Sequence, residues 1–565
     1  MIHSFSIPWC LAALMGNLMV LVAGDPVENW PAVAPVGHLW NTYPMDQVTY
    51  KPWTGEPAPL VPVRIVAPLG GIGTGQVVAT QAGGVKSLRI AISPPAGWPA
   101  GSVTARFQAL ADDSTPQWKW GIRYLPRLTD QAPANPIVPI RIIVQVPRTA
   151  APGTVETALT VTLNGAKSVI PVRIEAGPFV IPQPGQWASR MDIYQSPDGV
   201  AQRYKVPLWS KEHWTLVDAS LTLVGQYGSR VVWIPAVTNG INDCVRESML
   251  RYQRNGNGWR VDASRMDAYL DLFAKRCGEP DSIVVYAWGT LAPATDVHAL
   301  RGTEAGLANT VAVVTGTDGK PITVKGFTAE RKALYKAAFD AVRASVTRRK
   351  WKQEAVRIGI AMDPVPSRFF VDFLKEPSGN APWVKQAHDP AQDFHGVPVA
   401  YNATFRGSSG WDGPFWSNPR LIVHWPYDCG PSNGLGRLYG AVGWSFSKGM
   451  RGMACPMADF WNGYLWVGGQ GTMNNYGQYI FQPGPRGAEH SLPSLVLLQA
   501  AQAGEAAFRI ARAGGSEAAD WIAFSGSETS AKWGARWDIA DQERVMRLDR
   551  APDLEAALFK AAAGK

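Results

Sequence analysis

Eight short apolar runs, separated by stretches with helical spacing, dominate the second half of the chain. The runs are 191–194, 231–234, 283–288, 358–362, 383–387, 397–401, 421–425 and 452–455. Several intervening stretches place apolar residues on one helical face; Met266, Tyr269, Leu270 and Phe273 form one such set. Repeated strand–helix units predict an α/β fold with a (β/α)8 TIM-type barrel over residues 190–490. The active site of such a barrel lies at the carboxyl ends of its strands.

The region before the predicted barrel has a different sequence pattern. Short β-like segments alternate with Pro/Gly-rich turns, and Asn164-Gly165 lies between two alternating runs, as a type I′ hairpin turn requires. Several such strands without a periodic helix predict an N-terminal β-sandwich over residues 25–180. The glycines from Gly70 to Gly75 lack the spacing of a nucleotide-binding loop, and strand-like residues follow them. A Pro/Gly-rich linker at 178–187 would join sandwich and barrel, and an Ala-rich helical appendage is expected over 491–565.

The first residues predict export. An apolar stretch at 7–22 ends in the small residues Val22-Ala23-Gly24, which is typical of a signal peptide over residues 1–24. The expected location is the periplasm, the cell surface or the extracellular space. An uncleaved anchor is the alternative, because the stretch begins with little positive charge, and no other segment is predicted to span a membrane.

Cysteines and charge exclude some classes of function and leave others open. Removal of Cys10 would leave four cysteines; pairing of Cys429 with Cys455 and buried free thiols are both compatible with the sequence. The net charge is +9, but the dense basic run from Arg348 to Lys352 ends a predicted helix, so nucleic acid is not an expected partner. No residue spacing indicates a metal ion or a cofactor. The oligomeric state is left open.

Polar and aromatic residues follow most of the predicted strands. They comprise the candidate catalytic residues Asp363, Asp389 and Asp459 and the candidate substrate-binding residues Gln195, Tyr286, Trp288, His388, His424, Trp425 and Trp461. Carboxylates can supply the acid that glycoside hydrolysis needs, and aromatic rings can hold a sugar. Helix capping by the aspartates and core packing by the tryptophans are the alternatives.

The segment after the first strand resembles glycoside hydrolase family 123. The similarity is carried by Gln195-Ser-Pro-Asp-Gly-Val200, Arg203-Tyr204, Pro207-Leu-Trp209-Ser210 and Glu212-His213-Trp214. Weaker similarity occurs at 75–78, 146–153, 359–366 and 452–461, so that the resemblance covers most of the chain from about residue 60 to 510. It implies a sandwich followed by a barrel, and a site for N-acetyl-galactosaminides that Trp209 and His213 support.

The resemblance also implies a substrate-assisted, retaining mechanism with an adjacent Asp-Glu pair after the fourth strand. The Asp falls on Asp363, but Pro364 occupies the position of the acid Glu, and proline can neither donate nor accept a proton. Three interpretations follow. The chain is a glycosidase whose acid is Asp459 or Asp389, helped by His388 or His424; it is an exported glycan-binding protein without catalysis; or the same barrel performs another reaction.

Overall fold

The computed structural model describes most of the chain from Gly37 onward. The described residues are 37–41, 43–45, 60–81, 87–110, 126–135, 137–238, 245–286, 311–360, 366–386, 391–404, 411, 413–418, 421–424, 435–461, 479–527 and 550–565.

Within these residues the secondary structure comprises 24 strands and nine helices. The strands are β1 (His38–Asn41), β2 (Val63–Leu69), β3 (Ile72–Thr80), β4 (Leu88–Ile92), β5 (Val103–Leu110), β6 (Pro126–Thr129), β7 (Ile137–Gln145), β8 (Gly153–Leu163), β9 (Ala166–Val180), β10 (Arg190–Tyr194), β11 (Val231–Pro235), β12 (Arg251–Asn255), β13 (Gly258–Asp262), β14 (Ser282–Tyr286), β15 (Val311–Gly316), β16 (Pro321–Lys325), β17 (Val356–Ile360), β18 (Trp383–Gln386), β19 (Asp393–Phe394), β20 (Val397–Thr404), β21 (Leu421–His424), β22 (Gly452–Met457), β23 (Phe481–Gly484) and β24 (Gly487–His490). The helices are α1 (Pro197–Tyr204), α2 (Lys211–Gly225), α3 (Ser264–Cys277), α4 (Ala329–Arg348), α5 (Arg368–Lys375), α6 (Leu435–Ser447), α7 (Leu492–Arg512), α8 (Glu517–Ser527) and α9 (Ala551–Ala561).

The N-terminal strands form two sheets that share one hydrophobic core. One sheet has the order β1-β3-β7-β5-β6 and the other the order β2-β9-β8-β4. Val77 and Ile142 from the first sheet and Ile65 and Val172 from the second belong to the same buried cluster. A Cβ atom on Gly73 would lie 2.7 Å from Ile65 Cγ2, so glycine permits the close approach of the two sheets. The glycine-rich segment is therefore part of strand packing, as the sequence predicts.

The predicted hairpin in this region is confirmed. β8 and β9 pair antiparallel up to Leu163 and Ala166, and Asn164 and Gly165 form the two-residue turn. Both turn residues have positive φ, 50° for Asn164 and 90° for Gly165, which is the requirement of a type I′ turn.

The eight apolar runs all form strands of one sheet. Its order is β10-β22-β21-β20-β18-β17-β14-β11, and each neighbouring pair is parallel. Strands that are neighbours in the sheet are also consecutive among the eight along the chain, and the first strand, β10, lies beside the eighth, β22. The overall fold is mixed α/β. No backbone pairing joins β10 to β11 in the described residues, although the Ile193 amide donates to Ser229 Oγ at 3.1 Å just before β11.

Both faces of this sheet are buried, and their side chains belong to different clusters. In β11, Val231 and Trp233 join one cluster while Val232 and Ile234 join another. The first cluster, which we call the inner cluster, collects residues from seven of the eight strands: Tyr194, Val231, Trp233, Val284, Tyr286, Val384, Tyr401, Ala403, Val423, Ala454 and Met457. The second cluster contains the packed faces of the helices. Burial on both faces explains why these strands appear in the sequence as continuous apolar runs.

The amino-terminal end of the sheet holds a buried ion cluster. Asp192 of β10 accepts bonds from Arg190 at 3.0 and 3.2 Å and from the Tyr401 hydroxyl at 2.9 Å. Asp281, just before β14, binds Arg190 and lies 3.5 Å from Arg230. Since Arg190 and Asp192 are both almost fully buried, each needs the other as a partner.

Segments that follow β11 and β14 build a small accessory sheet with the order β13-β12-β15-β16. The sheet is held to the carboxyl end of β11, because the Met249 amide donates to the Pro235 carbonyl at 2.9 Å and the Tyr252 hydroxyl to the Ala236 carbonyl at 2.7 Å. It thus lies on the side of the main sheet where the predicted site residues are found.

The C-terminal helices connect the two-sheet region with the parallel sheet. Gln502 of α7 accepts from the Ile72 amide at 2.9 Å, and Gln499 accepts from the Thr74 hydroxyl at 2.7 Å. In α9, Phe559 stacks on Phe179 with ring centroids 6.2 Å apart. The described residues of this region form α7, α8 and α9, and the domain boundaries stay predictions.

Other sequence predictions have mixed outcomes. Cys277 is a buried free thiol. The side chains of Cys429 and Cys455 are not among those described, and the predicted signal peptide lies outside the described residues. The basic run begins at Arg348, the last residue of α4, and the next residue, Arg349, forms ion pairs with Asp267 and Asp271 of α3. Among the described helices, none combines the length and apolar character needed to cross a membrane.

Candidate functional site at the carboxyl end of the parallel sheet

Asp459 and Gln195 meet where the first and last strands of the parallel sheet end. β10 pairs with β22 up to Tyr194 and Met457, so that Gln195 and Asp459 leave the sheet side by side. Gln195 Nε2 donates to Asp459 Oδ2 at 2.9 Å, and the Ser196 amide donates to Oδ1 at 2.7 Å. Gln195 and Asp459, 264 positions apart in the sequence, are therefore joined by one direct hydrogen bond, and the Ser196 amide adds a second bond to the carboxylate.

Tyr269 of α3 completes this network. Its hydroxyl donates to Gln195 Oε1 at 3.0 Å, and its ring is almost fully buried. The helical spacing marked Tyr269 only as a core residue. The available signal was its hydroxyl group, which needs a hydrogen-bond partner on an otherwise apolar helix face.

The environment of Asp459 raises the pKa of its carboxyl group. The carboxyl group is completely buried, and this burial raises its pKa to about 6, while the donors at Ser196 and Gln195 oppose the rise. In the described part of the chain, no Lys, Arg or His forms an ion pair with it. Asp459 therefore changes its charge within the physiological pH range. Because both oxygens already accept hydrogen bonds, its geometry suits a group that orients Gln195.

Trp209 lies in the turn between α1 and α2, and His213 lies in the first turn of α2. His213 Nδ1 accepts from the Trp209 amide at 2.9 Å, and Nε2 lies 2.9 Å from the Pro197 carbonyl, to which it donates. Burial lowers the pKa of His213, so the ring is neutral. Both nitrogens are thus occupied in holding the segment that follows Gln195, which agrees with a role in supporting the site.

Trp209 has an unusual backbone for a large side chain. Its φ is 66°, in the left-handed region, and its ring lies 5.8 Å from the Arg265 guanidinium. Positive φ in a bulky residue costs free energy and persists where surrounding contacts hold it. The His213 bond to its amide is one such contact.

Asp198 is a buried carboxyl group that the candidate set did not include. Burial raises its pKa to about 7, opposed by the Arg246 amide, which donates to Oδ1 at 2.8 Å. The negative charge of nearby Glu247 raises the pKa further. The only signal in the sequence was the position of Asp198 in the Gln195-Ser-Pro-Asp segment. That signal was ambiguous, because an acidic residue in the first turn of a helix is also explained by its favourable interaction with the helix dipole.

Tyr286 and Trp461 have packing contacts that define their positions. Tyr286 ends β14 inside the inner cluster, 6.0 Å from the Trp233 ring. Trp461 donates from Nε1 to the Phe481 carbonyl at 2.9 Å and packs edge-on against Tyr204 at 5.9 Å. Trp461 is partly buried, so one part of its surface stays open.

The remaining predicted residues cannot be positioned relative to this network. Trp288, Asp363, His388, Asp389 and Trp425 lie outside the described residues, as does Pro364. His424 ends β21 opposite Thr404, and only its backbone is described. In the described residues, no group of His, Cys, Asp and Glu side chains could hold a metal ion.

Comparisons with known proteins agree with the resemblance found in the sequence. Residues 194–401 match the family model "Glycoside hydrolase 123, catalytic domain". A family 123 glycoside hydrolase from Clostridium perfringens, whose structure concerns glycolipid glycan hydrolysis, is 12% identical with a TM-score of 0.69, over 93% of this chain and 99% of that one. The chain is therefore glycoside hydrolase family 123-like, and it shares the overall fold of that structure.

More distant structures add no argument about the fold. A putative alpha-galactosidase from Bacteroides fragilis is 8% identical, covers 79% of this chain and 78% of that one, and has a TM-score of 0.25. A GH20 exo beta-N-acetylglucosaminidase from Vibrio harveyi is 9% identical, covers 65% and 81%, and has a TM-score of 0.15. No curated protein sequence matches the chain.

Proposed function

We propose that this family 123-like protein is an exported glycosidase that acts on glycosides of N-acetylated amino sugars, of the N-acetyl-galactosamine type. The observation that carries the proposal is the coincidence of three features. The family match begins at Tyr194, five strands within it (β11, β14, β17, β18 and β20) are parallel neighbours in one sheet, and the Gln195–Asp459 network lies at the carboxyl end of that same sheet, after β10 and β22. Carbohydrate is thus the proposed substrate.

We further propose that the parallel sheet closes into a (β/α)8 barrel, which follows an N-terminal β-sandwich along the chain. The order of the eight strands, the inner cluster to which seven of them contribute, and the short link from Ile193 to Ser229 support closure between β10 and β11. The shared core of the two N-terminal sheets supports the sandwich. In such a barrel the site would face solvent at the end where Gln195 lies.

The proposed reaction uses the substrate's own acetamido oxygen as nucleophile at the anomeric carbon. Attack develops positive charge at the acetamido nitrogen, and a carboxylate at Asp363 would stabilise it by accepting the N–H bond. Pro364 supplies no proton to the leaving group. Protonation would then fall to Asp389, to Asp459 or to solvent, and leaving groups that need no protonation should react best.

The decisive experiment compares substrates and one substitution. Purified protein is incubated with nitrophenyl N-acetyl-galactosaminide and N-acetyl-glucosaminide, and release of nitrophenol is measured for wild type and Asp363→Asn. The proposal expects turnover of one of the two substrates and a loss of about 100-fold or more in Asp363→Asn, comparable to removal of an electrostatic partner in a transition state.

Glycan binding without turnover would overturn the enzymatic part of the proposal and favour a binding protein. Turnover that Asp363→Asn leaves unchanged would overturn the role of Asp363. Asp459→Asn is then the next substitution, with Asp130→Asn as a matched control because Asp130 is exposed on the N-terminal sheets.

A further inference from the structure

We infer that Tyr269 and Asp459 hold the side-chain amide of Gln195 in one orientation, so that Gln195 donates its second N–H to an acceptor oxygen of the bound sugar. The inference rests on the proposed function and adds a specificity-determining residue, Gln195, with two positioning residues. Tyr269 belongs to none of the segments that carry the family resemblance.

The chemistry of the neighbours fixes the orientation of the amide. An ionised carboxylate only accepts hydrogen bonds, so the group that faces Asp459 Oδ2 at 2.9 Å has to be the Gln195 NH2. The Gln195 oxygen then faces the Tyr269 hydroxyl at 3.0 Å, which donates to it. The flipped amide would place two acceptors against each other at Asp459. The Asp459 contact therefore selects the orientation, and the Tyr269 hydroxyl, which can donate or accept, holds the amide oxygen in it.

One donor of Gln195 is left for a ligand. A side-chain amide has two N–H groups, and Asp459 accepts only one of them. In the described residues, no other acceptor binds Gln195 Nε2. The side chain is partly exposed and follows the carboxyl end of β10, which is the ligand-binding end of a parallel α/β sheet. Hydroxyl, ring and acetamido oxygens of an amino sugar are suitable acceptors.

Protonation of Asp459 should release this orientation. A neutral carboxyl group can donate as well as accept, so the acceptor–acceptor penalty against the flipped amide disappears. The groups that face Asp459 are Gln195, Ser196, the Ser220 hydroxyl of α2 and, through its electrostatic effect, Tyr269. Burial raises the pKa of Tyr269 well above its usual value, so the phenol stays neutral. Only Asp459 in this group titrates near pH 6.

The test measures binding of N-acetyl-galactosamine and N-acetyl-glucosamine by calorimetry between pH 5 and pH 7.5. Wild type should bind one of them about 5-fold more weakly at pH 5, the effect of losing one hydrogen bond. Asp459→Asn should remove this pH dependence. Tyr269→Phe should weaken binding about 3-fold at pH 7.5, with an increase in KM and an unchanged kcat, since it affects orientation alone.

Tyr227→Phe is the matched control, because it removes a similar buried hydrogen bond, to the Ser494 carbonyl, just before the amino-terminal end of β11 and thus at the opposite end of the sheet from Gln195. It should leave sugar affinity and its pH dependence unchanged. Gln195→Met removes the donor with little change in volume and should lower affinity about 5-fold at pH 7.5. Circular dichroism and urea midpoints establish that each variant is folded.

The outcomes separate this inference from the proposed function. A wild type that binds or hydrolyses neither amino sugar would overturn both. A wild type that binds, together with a Gln195→Met variant that binds equally well, would overturn the inference alone. So would a pH dependence that persists in Asp459→Asn, because another group would then control binding.

Discussion

Asp192 and Asp459 lie on or next to neighbouring strands, are equally buried, and differ in what surrounds their charge. Asp192, at the amino-terminal end of the sheet, is bound by Arg190, which also pairs with Asp281. Asp459, beyond the carboxyl end, accepts bonds from an amide side chain and a backbone N–H and has no cationic partner in the described residues. Burial raises the pKa of both carboxyl groups, but the positive charge of Arg190 opposes the rise at Asp192, whereas only hydrogen-bond donors oppose it at Asp459.

The difference separates a cluster that stabilises the fold from the network that we propose to be functional. A buried ion pair whose partners are both satisfied contributes to a unique fold, and breaking it leaves an uncompensated charge. A buried carboxyl group without a cation has a raised pKa and can exchange protons in the range where enzymes work. In parallel α/β sheets the carboxyl end carries function and the amino-terminal end carries stability.

Asp192→Asn should have the largest effect on stability, because it leaves Arg190 buried with one carboxylate fewer. We expect a loss of about 3 to 5 kcal/mol in the free energy of unfolding, measured with urea. Asp130→Asn is the control: it breaks the Arg106 pair, in which Asp130 is 84% exposed, and should cost at most about 1 kcal/mol. Equal losses in the two variants would remove the distinction between the ends of the sheet.

Asp459→Asn should change how stability depends on pH. The pKa rises from 3.8 in the unfolded chain to about 6 in the folded protein, so the folded state binds the proton more tightly. The contribution of this carboxyl group is therefore complete below about pH 4 and is lost as pH rises through 6, by about 3 kcal/mol. Urea unfolding at pH 4.5 and 7 should show a smaller pH dependence in Asp459→Asn. An unchanged dependence would contradict the raised pKa.

His213→Ala tests whether a residue near the functional end can serve stability alone. The substitution removes the bonds to the Trp209 amide and the Pro197 carbonyl, and we expect a loss of about 2 kcal/mol in stability. Sugar affinity should change less than about 2-fold, because neither ring nitrogen is available to a ligand. A large loss of affinity with unchanged stability would show that His213 contacts the sugar.

Much of the fold follows from patterns in the sequence. The apolar runs predicted all eight strands of the parallel sheet, because strands buried on both faces need apolar side chains throughout. Asn164-Gly165 predicted its hairpin because few residues tolerate positive φ in succession. The accessory sheet was not foreseen: β12–β13 and β15–β16 are local hairpins, but the parallel pairing of β12 with β15 that joins them into one sheet is non-local.

The site was predictable only in part. Position at strand ends predicted that Gln195 and Asp459 would lie together, since it depends on topology alone. The Tyr269 contact required knowledge of how α3 packs, and the burial of Asp198 required knowledge of where the Arg246 backbone lies. Neither can be obtained from spacing along the chain. Hydrogen bonds between distant side chains depend on packing at a scale that sequence patterns do not encode.

Glu555 provides the finest test, because it too is a buried carboxyl group without a cationic partner in the described residues, but it lies between two helices and not on a loop that follows a strand of the sheet. It accepts from the Tyr439 hydroxyl at 2.7 Å between α9 and α6, and burial raises its pKa to about 7. Since the unfolded value is 4.5, its contribution to stability is lost as pH rises through 7. Replacing Glu555 by a neutral residue should therefore increase the free energy of unfolding at alkaline pH only.

We expect Glu555→Gln to stabilise the protein by about 1 kcal/mol at pH 8.5 and not at pH 5.5, because the lost charge penalty exceeds the cost of burying an unpaired amide N–H. Urea unfolding and hydrogen exchange in α9 measure the effect, and Tyr439→Phe, which removes the hydrogen-bond donor, should lower protection at both pH values. Sugar affinity should not change. If Glu555→Gln does change sugar affinity, a buried carboxyl group without a cation would affect ligand binding even away from the proposed site. The position of Asp459 at the carboxyl end of the sheet would then not explain its proposed role.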